Sequence, residues 1–297
     1  MPGLNNFSFF ELWSPWFGLW MIVLCLAYFM LTGPYRNKFK DSAPVSGARK
    51  ATFVTGMAVY YIAMGGPLNI MAHLMFSMHM TAMALGFILA PALILIGLPG
   101  WLLKPVLHHR MVIRPFRLLT NPLMAILGFN AFFSFYHMPV IHDYVMTHYV
   151  VHEIYYVVLL VTAFMMWWPI IAPIPENERL TDLRKIGYVF LNGILITPAC
   201  VLIIFAGKPL YESFNDAHVW AAALGYCVPR GSEAILKELV GPQTFAWFSP
   251  LDDQQLGGVI MKVLQEIIYG SALAYIFFNW YIKERKEDPM KPDPLPN

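Results

Sequence analysis

Histidine and methionine at four-residue spacing are the residues in this sequence best suited to chemistry. Side chains four positions apart lie on one face of an α-helix. One such ladder combines imidazole with thioether groups, and a second combines imidazole with phenol groups. The first consists of Met71, Met75, His79 and Met83, and the second of Tyr144, His148, His152 and Tyr156.

Imidazole and thioether groups together form a soft to borderline donor set. This set suits copper in either oxidation state better than magnesium, calcium or manganese. Thiolates, which structural zinc favours, are absent from both ladders. The same residues also have a plainer interpretation, because Met fills gaps between helices and a His near a helix end extends to the interface or caps the helix.

The composition excludes an ordinary water-soluble domain. The chain has 297 residues, of which 58% are hydrophobic and 13% are charged, whereas soluble domains are about 45–50% apolar and about 25% charged. Its mean hydropathy is +0.55. We therefore expect an all-α integral membrane protein whose surroundings are membrane lipid, with no nucleic-acid partner.

Seven stretches are long and apolar enough to cross a bilayer, which takes roughly 20 residues. Pro, Gly and charged clusters separate them, as is typical of helix ends. We predict a single seven-transmembrane helical bundle over residues 1–283. The stretches are Trp16–Thr32, Ala51–Ile70, His73–Leu98, Leu118–Met138, Val150–Ile171, Ile186–Ala206 and Leu256–Tyr281.

Basic residues are concentrated on one side of this bundle. Sixteen of the 20 Lys and Arg residues follow the first, third or fifth span or lie near the C-terminus. By the positive-inside rule these segments are cytoplasmic, with the N-terminus outside and the C-terminus inside. Seven of the nine His residues then belong to the outer face or the outer ends of spans, which is the strongest chemical signal in the sequence.

Two further segments lie outside the spans. Residues 207–255 form the only extramembrane segment with room for structure. Their aromatic residues predict either short interfacial helices that lid the histidines or an aromatic belt at the lipid headgroups. Cys227 is isolated in this loop. Residues 284–297 are Pro-rich and charged, and are predicted to be a disordered cytoplasmic tail.

Lys262 and Glu266 are ionisable residues within the seventh span. An ionisable side chain at such depth is costly and marks a candidate functional residue. Because the two residues are four positions apart, they are also able to form an ion pair with a purely structural role. The sequence leaves both interpretations open.

Four motifs give the chain a resemblance to a known family. FELWSPW begins at Phe10, and HMTAMALGFILAPALILIGLP runs from His79 to Pro99. VHEIYYVVLLVTAFMMWWPI begins at Val151, and SPLDDQQLGGVIMK begins at Ser249. These motifs, spread over most of the chain, resemble the bacterial caa3-type cytochrome c oxidase assembly factors called CtaG.

The resemblance implies a multi-pass protein of the bacterial plasma membrane that helps to mature a haem–copper oxidase and is not an enzyme. It further implies copper delivery at the outer face, with oxidase subunits and other copper chaperones as partners. His79 and Met80 occupy the family's HM position. Many relatives carry a second His at the place of Met83 and another at the place of Tyr156, so the thioether of Met83 favours Cu(I) here.

The predicted copper site lies between the third and fifth spans. His79 and Met83 form one side of it, and His148 and His152 form the other. Capture or relay of the ion at the mouth is assigned to His73, His137 and His142. The binding residues of this hypothesis are His73, His79, Met83, His142, His148 and His152.

Two other functions remain open. Paired His residues on adjacent helices are able to ligate haem from opposite faces, which would make the protein a haem-binding membrane oxidoreductase. A seven-helix receptor or scaffold without a metal is the third possibility. The sequence contains no GxSxG, Walker, HExxH or dinucleotide-binding motif, so an enzyme would depend on a bound cofactor.

Overall fold

The structure is a computed structural model that describes residues 7–225, 241 and 247–287. Helices and the connections between them make up all of this part of the chain, and it contains no strand. The remaining residues of the 207–255 loop, including Cys227, and the predicted tail beyond residue 287 lie outside the described residues. The last helix extends to Glu287, four residues into the segment predicted as a tail.

Fourteen α-helices are described. The first seven are α1 Phe9–Trp13, α2 Pro15–Thr32, α3 Gly47–Met64, α4 Pro67–Leu74, α5 Phe76–Met83, α6 Ala90–Gly97 and α7 Gly100–Leu107. The others are α8 Arg110–Leu119, α9 Pro122–Tyr136, α10 Pro139–Met146, α11 Tyr149–Ile171, α12 Asp182–Ile204, α13 Ala217–Leu224 and α14 Pro250–Glu287. Short 3₁₀ turns cover Arg36–Lys38, Pro175–Asn177 and Glu212–Phe214, and a π-helix covers Ala84–Leu89.

Six helical segments in the described residues are long and apolar enough to cross a membrane. A seventh arises only if α8 and α9, which meet at an angle of 74°, count as one span. Asn121 caps the start of α9 and Pro122 occupies its first turn, so the chain restarts a helix at this bend. The multi-pass architecture is confirmed, whereas the seven-span count and the orientation of the termini stay predictions.

The second and third predicted spans divide at a different place from the one expected. The third span was predicted to begin at His73, but the structure has a single segment Gly47–Leu74 followed by Phe76–Gly97. Met75 separates them with extended backbone angles, φ −138° and ψ 134°. His73 therefore ends one span and His79 begins the next, and the ladder of Met71, Met75, His79 and Met83 does not run along one helix.

A π-helix, Ala84–Leu89, widens the third span directly after Met83. Pro91 lies in the first turn of α6 and has no backbone N–H, so the preceding carbonyl groups cannot all bond within a regular α-helix. The indole Nε1 of Trp167 donates to the carbonyl oxygen of Ile88 at 2.9 Å. A side chain of the span Tyr149–Ile171 therefore forms a hydrogen bond with a backbone carbonyl of the π-helix.

The exterior of the bundle is apolar and its interior is tightly packed. Trp16, Leu202 and Tyr275 are 79%, 71% and 72% exposed, which is the surface expected of a protein surrounded by lipid. The main core joins α5, the π-helix, α9, α11, α12 and α14. Within it, Asn130 Nδ2 donates to Asn192 Oδ1 at 2.9 Å and links α9 to α12.

Candidate metal centre

The outer histidines of the sequence analysis lie on helix ends that share one end of the bundle. His73 is in the last turn of α4, His79 in α5 just after the break at Met75, and His137 immediately follows α9. His142 lies in α10, and His152 lies in the first turn of α11. Five imidazoles from five helices are therefore placed in one region.

Three of these imidazoles form a buried inner cluster. The ring centroids of His79 and His142 are 5.1 Å apart in an edge-to-face contact, and those of His79 and His137 are 6.1 Å apart. Tyr136 stacks on the ring of His79 at 5.6 Å. His79, His137, His142 and Tyr136 are all 0–4% exposed. The cluster is thus enclosed by protein.

The δ nitrogens of His73, His137 and His142 have hydrogen-bond partners within the protein. His73 Nδ1 donates to the carbonyl oxygen of Asn69 at 2.8 Å, and His137 Nδ1 donates to that of Phe133 at 2.7 Å. His142 Nδ1 lies 3.2 Å from Ser213 Oγ. A carbonyl partner at Nδ1 fixes the proton there and leaves the lone pair on Nε2, which is the usual arrangement around a metal-binding imidazole.

The ε nitrogens have no such partner. Nε2 of His79, His137, His142 and His152 is buried and accepts or donates no hydrogen bond within the described residues. A buried polar atom without a partner costs about 1–3 kcal/mol. Four such atoms in one region form an unsatisfied donor set that suits a cation preferring neutral nitrogen ligands.

The histidines do not form a ready-made three-ligand centre. Within the part of the chain that the structure describes, no three His, Cys, Asp or Glu side chains are close enough to hold one ion together. The closest unit is the pair His79 and His142, with His137 farther away. Such a pair suits an ion that accepts few ligands, as Cu(I) does, better than an ion that requires a closed tetrahedral or octahedral shell.

Asp253 positions the helix that carries His79. No side chain at the start of α5 caps its first amide groups. Asp253 of α14 instead accepts from Phe76 N at 2.7 Å, from Ser77 N at 3.4 Å and from Ser77 Oγ at 2.5 Å. A carboxylate at a helix N-terminus also interacts favourably with the helix dipole. The seventh predicted span therefore fixes the first turn of the third.

The described part of the outer loop covers the inner cluster. Tyr211 and Phe214 contact the ring of His142, and Phe214 also contacts that of His79. Tyr211 Oη donates to the carbonyl oxygen of His137 at 2.7 Å. These contacts agree with the lid interpretation of the loop, while residues 226–240 and 242–246 of the loop lie outside the described residues.

Asp143 holds this lid beside His142. Its carboxylate accepts from Glu212 N and Ser213 N, each at 3.0 Å. Burial raises the pKa of Asp143, but the hydrogen bonds from His142 and Ser213 outweigh burial and the net pKa is lowered. Burial also lowers the pKa of His142 and brings that of His137 down from 6.5 to about 3. Both imidazoles are therefore neutral at physiological pH and able to bind a metal.

His148 and Met83 of the predicted site are placed differently. His148 is exposed, its ring stacks on Tyr144 at 4.0 Å, and its Nδ1 bonds to the carbonyl oxygen of Tyr144. Met83 is fully buried in the main core, one turn along the helix from His79. The structure brings together His79 and His142, and separately His73 and His152.

The structure places His137 against the inner cluster and adds supporting residues that the sequence did not indicate. His137, which the sequence analysis assigned to capture or relay at the mouth, follows α9 directly and contacts His79. The signal for it was its five-residue spacing from His142 across a short connection containing Pro139. No sequence signal connected Asp253 with His79, because 174 positions separate these two residues.

Lys262 and Glu266 form the ion pair that their spacing predicts. Lys262 Nζ lies 2.6 Å from Glu266 Oε1 and also donates to Thr197 Oγ1 at 2.8 Å, which joins α14 to α12. The Glu266 side chain is 59% exposed, so it lies on the surface of the bundle rather than in its interior. These contacts support a structural role for the pair.

The comparison with known protein families decides what this assembly of helices belongs to. The chain matches the model of the cytochrome c oxidase caa3 assembly factor family, Caa3_CtaG, over residues 26–283. It belongs to the caa3-type cytochrome c oxidase assembly factor family. The match includes all the histidines described above, whereas the FELWSPW motif lies before it.

Membership of the CtaG family confirms the family prediction and gives the protein a non-enzymatic role in assembling cytochrome c oxidase. The apolar helices agree with the multi-pass membrane location expected of such a factor. The searches of curated proteins and of solved structures gave no significant match to the chain.

Proposed function

We propose that this CtaG-family protein binds Cu(I) between His79 and His142 and delivers it to the caa3 oxidase during assembly at the outer face of the bacterial plasma membrane. The observation that carries the proposal is the set of buried Nε2 atoms without hydrogen-bond partners at one end of the bundle. A bound cation would supply the interaction that these nitrogens lack. Oxidase subunits and other copper chaperones would be its partners.

The geometry of the pair supports a donor rather than a permanent metal centre. The ring centroids are 5.1 Å apart, which is short enough for one ion to lie about 2 Å from a nitrogen of each ring in a bent arrangement. His137 at 6.1 Å from His79 offers a third nitrogen. An ion held by two ligands with a third nearby is able to exchange ligands one at a time, which transfer to an oxidase subunit requires.

Neutral imidazoles suit this role. Burial keeps His137 and His142 uncharged, and the carbonyl bond at His137 Nδ1 directs its lone pair to Nε2. The ion would be the only charge gained by the cluster on binding. Asp143, beside His142, provides a compensating carboxylate 3.6 Å from its Nδ1.

The contact between His79 and His142 argues against haem as the ligand. Axial ligands of haem lie on opposite faces of the macrocycle. The two rings instead touch edge to face, with Tyr136 and Phe214 packed around them. A Soret band in the purified protein would favour the haem alternative, and its absence together with bound copper would favour the proposal.

The proposal is tested by measuring copper in protein loaded with Cu(I) and washed free of excess ion. We expect the double variant His79→Gln with His142→Gln to lose the ion held by this pair. His148→Gln is the matched control, because His148 is exposed and stacks on Tyr144. Unchanged copper content in a folded double variant would contradict the proposal.

The cellular readout is the copper content of caa3 oxidase purified from cells that express each variant. We expect the double variant to yield copper-deficient oxidase and the His148 variant to yield the normal enzyme. Normal oxidase from the double variant would show that the protein assists assembly without delivering copper through these residues.

A further inference from the structure

A second pair of imidazoles lies beside the inner cluster, on different helices. His73 ends α4 and His152 lies in the first turn of α11. Their ring centroids are 5.8 Å apart and their planes are inclined at 54°. This spacing is similar to that of His79 and His142, so the two pairs have comparable geometry for an ion shared between two rings.

The nitrogens of the second pair are arranged for binding. His73 Nδ1 donates to the carbonyl oxygen of Asn69 at 2.8 Å, which leaves its Nε2 unprotonated. His152 Nε2 is buried and has no hydrogen-bond partner in the described residues. The ring of Tyr156 packs on His152 at 4.0 Å and restricts its orientation. The pair therefore combines one imidazole whose Nε2 lone pair is fixed by its bond at Nδ1 with one whose buried Nε2 has no partner.

The second pair is the more accessible of the two. The His152 side chain is 14% exposed, whereas that of His142 is 0% exposed. Glu153 is 57% exposed and lies 3.7 Å from His152 Nδ1. A carboxylate at the surface attracts cations. His73 ends α4 and His79 lies in α5 just beyond Met75, so consecutive helices connect the two pairs.

We propose that His73 and His152 form a second Cu(I) site, which receives the ion from outside and passes it to His79 and His142. This inference rests on the proposed function. In the transfer, the bonds from copper to the outer imidazoles break as bonds to Nε2 of His79 and His142 form. Copper stays Cu(I) throughout, because this exchange of nitrogen ligands transfers no electron.

The experiment is a titration of the purified full-length protein with Cu(I), buffered by a chromophoric Cu(I) chelator that reports free ion. We expect the unaltered chain to bind two ions. His73→Gln with His152→Gln should bind one, and His79→Gln with His142→Gln should also bind one. His148→Gln should still bind two, and thermal unfolding of each variant confirms that it is folded.

The outcomes separate the inference from the proposed function. If the unaltered chain binds one ion, and the double variant at His73 and His152 also binds one, the second site is overturned and the inner site remains. No ion in the unaltered chain would overturn both. Two ions, with one lost in each double variant, would establish the pair as a distinct site.

The order of loading is tested with stopped-flow mixing of apoprotein and Cu(I). If the outer pair receives the ion first, replacing His73 and His152 should slow the loading of the inner site. Replacing His79 and His142 should leave the rate of the first binding step unchanged. Equal loading rates of the inner site with and without the outer pair would overturn the relay.

Discussion

The two ends of the bundle differ in how their polar side chains are paired. We call the end that carries Lys104, Lys185 and Lys283 the basic end, and the opposite end, where the buried imidazoles lie, the histidine end. At the basic end, Lys104 pairs with Glu176 at 2.6 Å, Lys185 with Glu178 at 2.5 Å and Lys283 with Asp182 at 2.8 Å. At the histidine end, four imidazole nitrogens are buried without partners. The buried atoms without partners at the basic end are single atoms on separate residues, Arg36 Nε and Asn177 Nδ2, whereas the histidine end gathers four nitrogens of one kind.

This difference separates charged groups that the protein pairs from imidazole nitrogens that it leaves without a partner. Exposed ion pairs, such as that of Lys283 with Asp182, contribute little to stability and are screened by salt. Buried unsatisfied nitrogens reduce stability and persist only where other contacts compensate. At the histidine end, the cap provided by Asp253 and the lid held by Asp143 provide such contacts.

The largest effect on stability is expected from removing the carboxylate that caps α5. Asp253→Ala leaves two helix amides and the Ser77 hydroxyl without their partner in a buried position. We expect a loss of about 2–4 kcal/mol in the free energy of unfolding, measured in mixed micelles with a denaturing detergent. Cu(I) affinity should fall as well, because α5 carries His79.

Asp252→Ala is the matched control for this substitution. Asp252 is the exposed neighbour, and its contacts with Ser249 are confined to the start of α14. We expect a change of at most about 1 kcal/mol and unaltered copper binding. Equal losses in the two variants would show that the cap on α5 has no special role.

Acidification should destabilise the metal-free protein through the histidine end. An unfolded imidazole takes up a proton near pH 6.5, whereas folded His137 stays neutral until about pH 3. The unfolded state therefore binds more protons between these values, and stability falls by roughly 1.4 kcal/mol per pH unit for such a group. Unfolding measured from pH 7 to 5 should show this fall, and His137→Gln should reduce it; a flat profile would contradict it.

A smaller effect is expected from the hydrogen bond between spans. Asn192→Ala removes the acceptor of Asn130 Nδ2 in the core between α9 and α12. Hydrogen bonds between membrane helices contribute about 0.6 kcal/mol on average and up to about 1.7 kcal/mol. We expect a loss in this range without a change in copper binding, measured by the same detergent unfolding. A loss of copper would show that the bond also shapes the site.

The smallest effect is expected at the basic end. Lys283→Ala removes an ion pair with Asp182 in which the Lys side chain is 65% exposed. The expected loss is under about 1 kcal/mol and should shrink as salt is added. A larger, salt-independent loss would remove the contrast between the two ends.

The sequence predicted the apolar spans well because hydropathy acts over whole helices. Val150–Ile171 became Tyr149–Ile171, and Ile186–Ala206 became Asp182–Ile204. The errors fall where tertiary contacts override the local pattern. The break at Met75 depends on the capping of α5 by Asp253 from α14, and the bend before α9 leaves only the 15 residues Pro122–Tyr136 beyond it.

The uneven placement of the histidines predicted that they gather at one end of the bundle, and the rings of His79 and His142 are in contact there. Their role as copper ligands stays a prediction. Their pairing could not be derived, because α10 is a short helix whose direction depends on the lid contacts of Asp143. The four-residue ladders did not predict which side chains lie together. The first ladder crosses the break at Met75, and in the second ladder His148 is exposed and stacks on Tyr144.

The most direct measurement is X-ray absorption at the copper edge of the Cu(I)-loaded protein. The account predicts nearest neighbours that are imidazole nitrogens, with the scattering of the outer ring atoms visible, and a loss of this signature when His79 and His142 are both replaced by Gln. Protein that retains no copper after loading, or a copper environment unchanged by the double substitution, would contradict the claim that the buried Nε2 atoms are metal ligands.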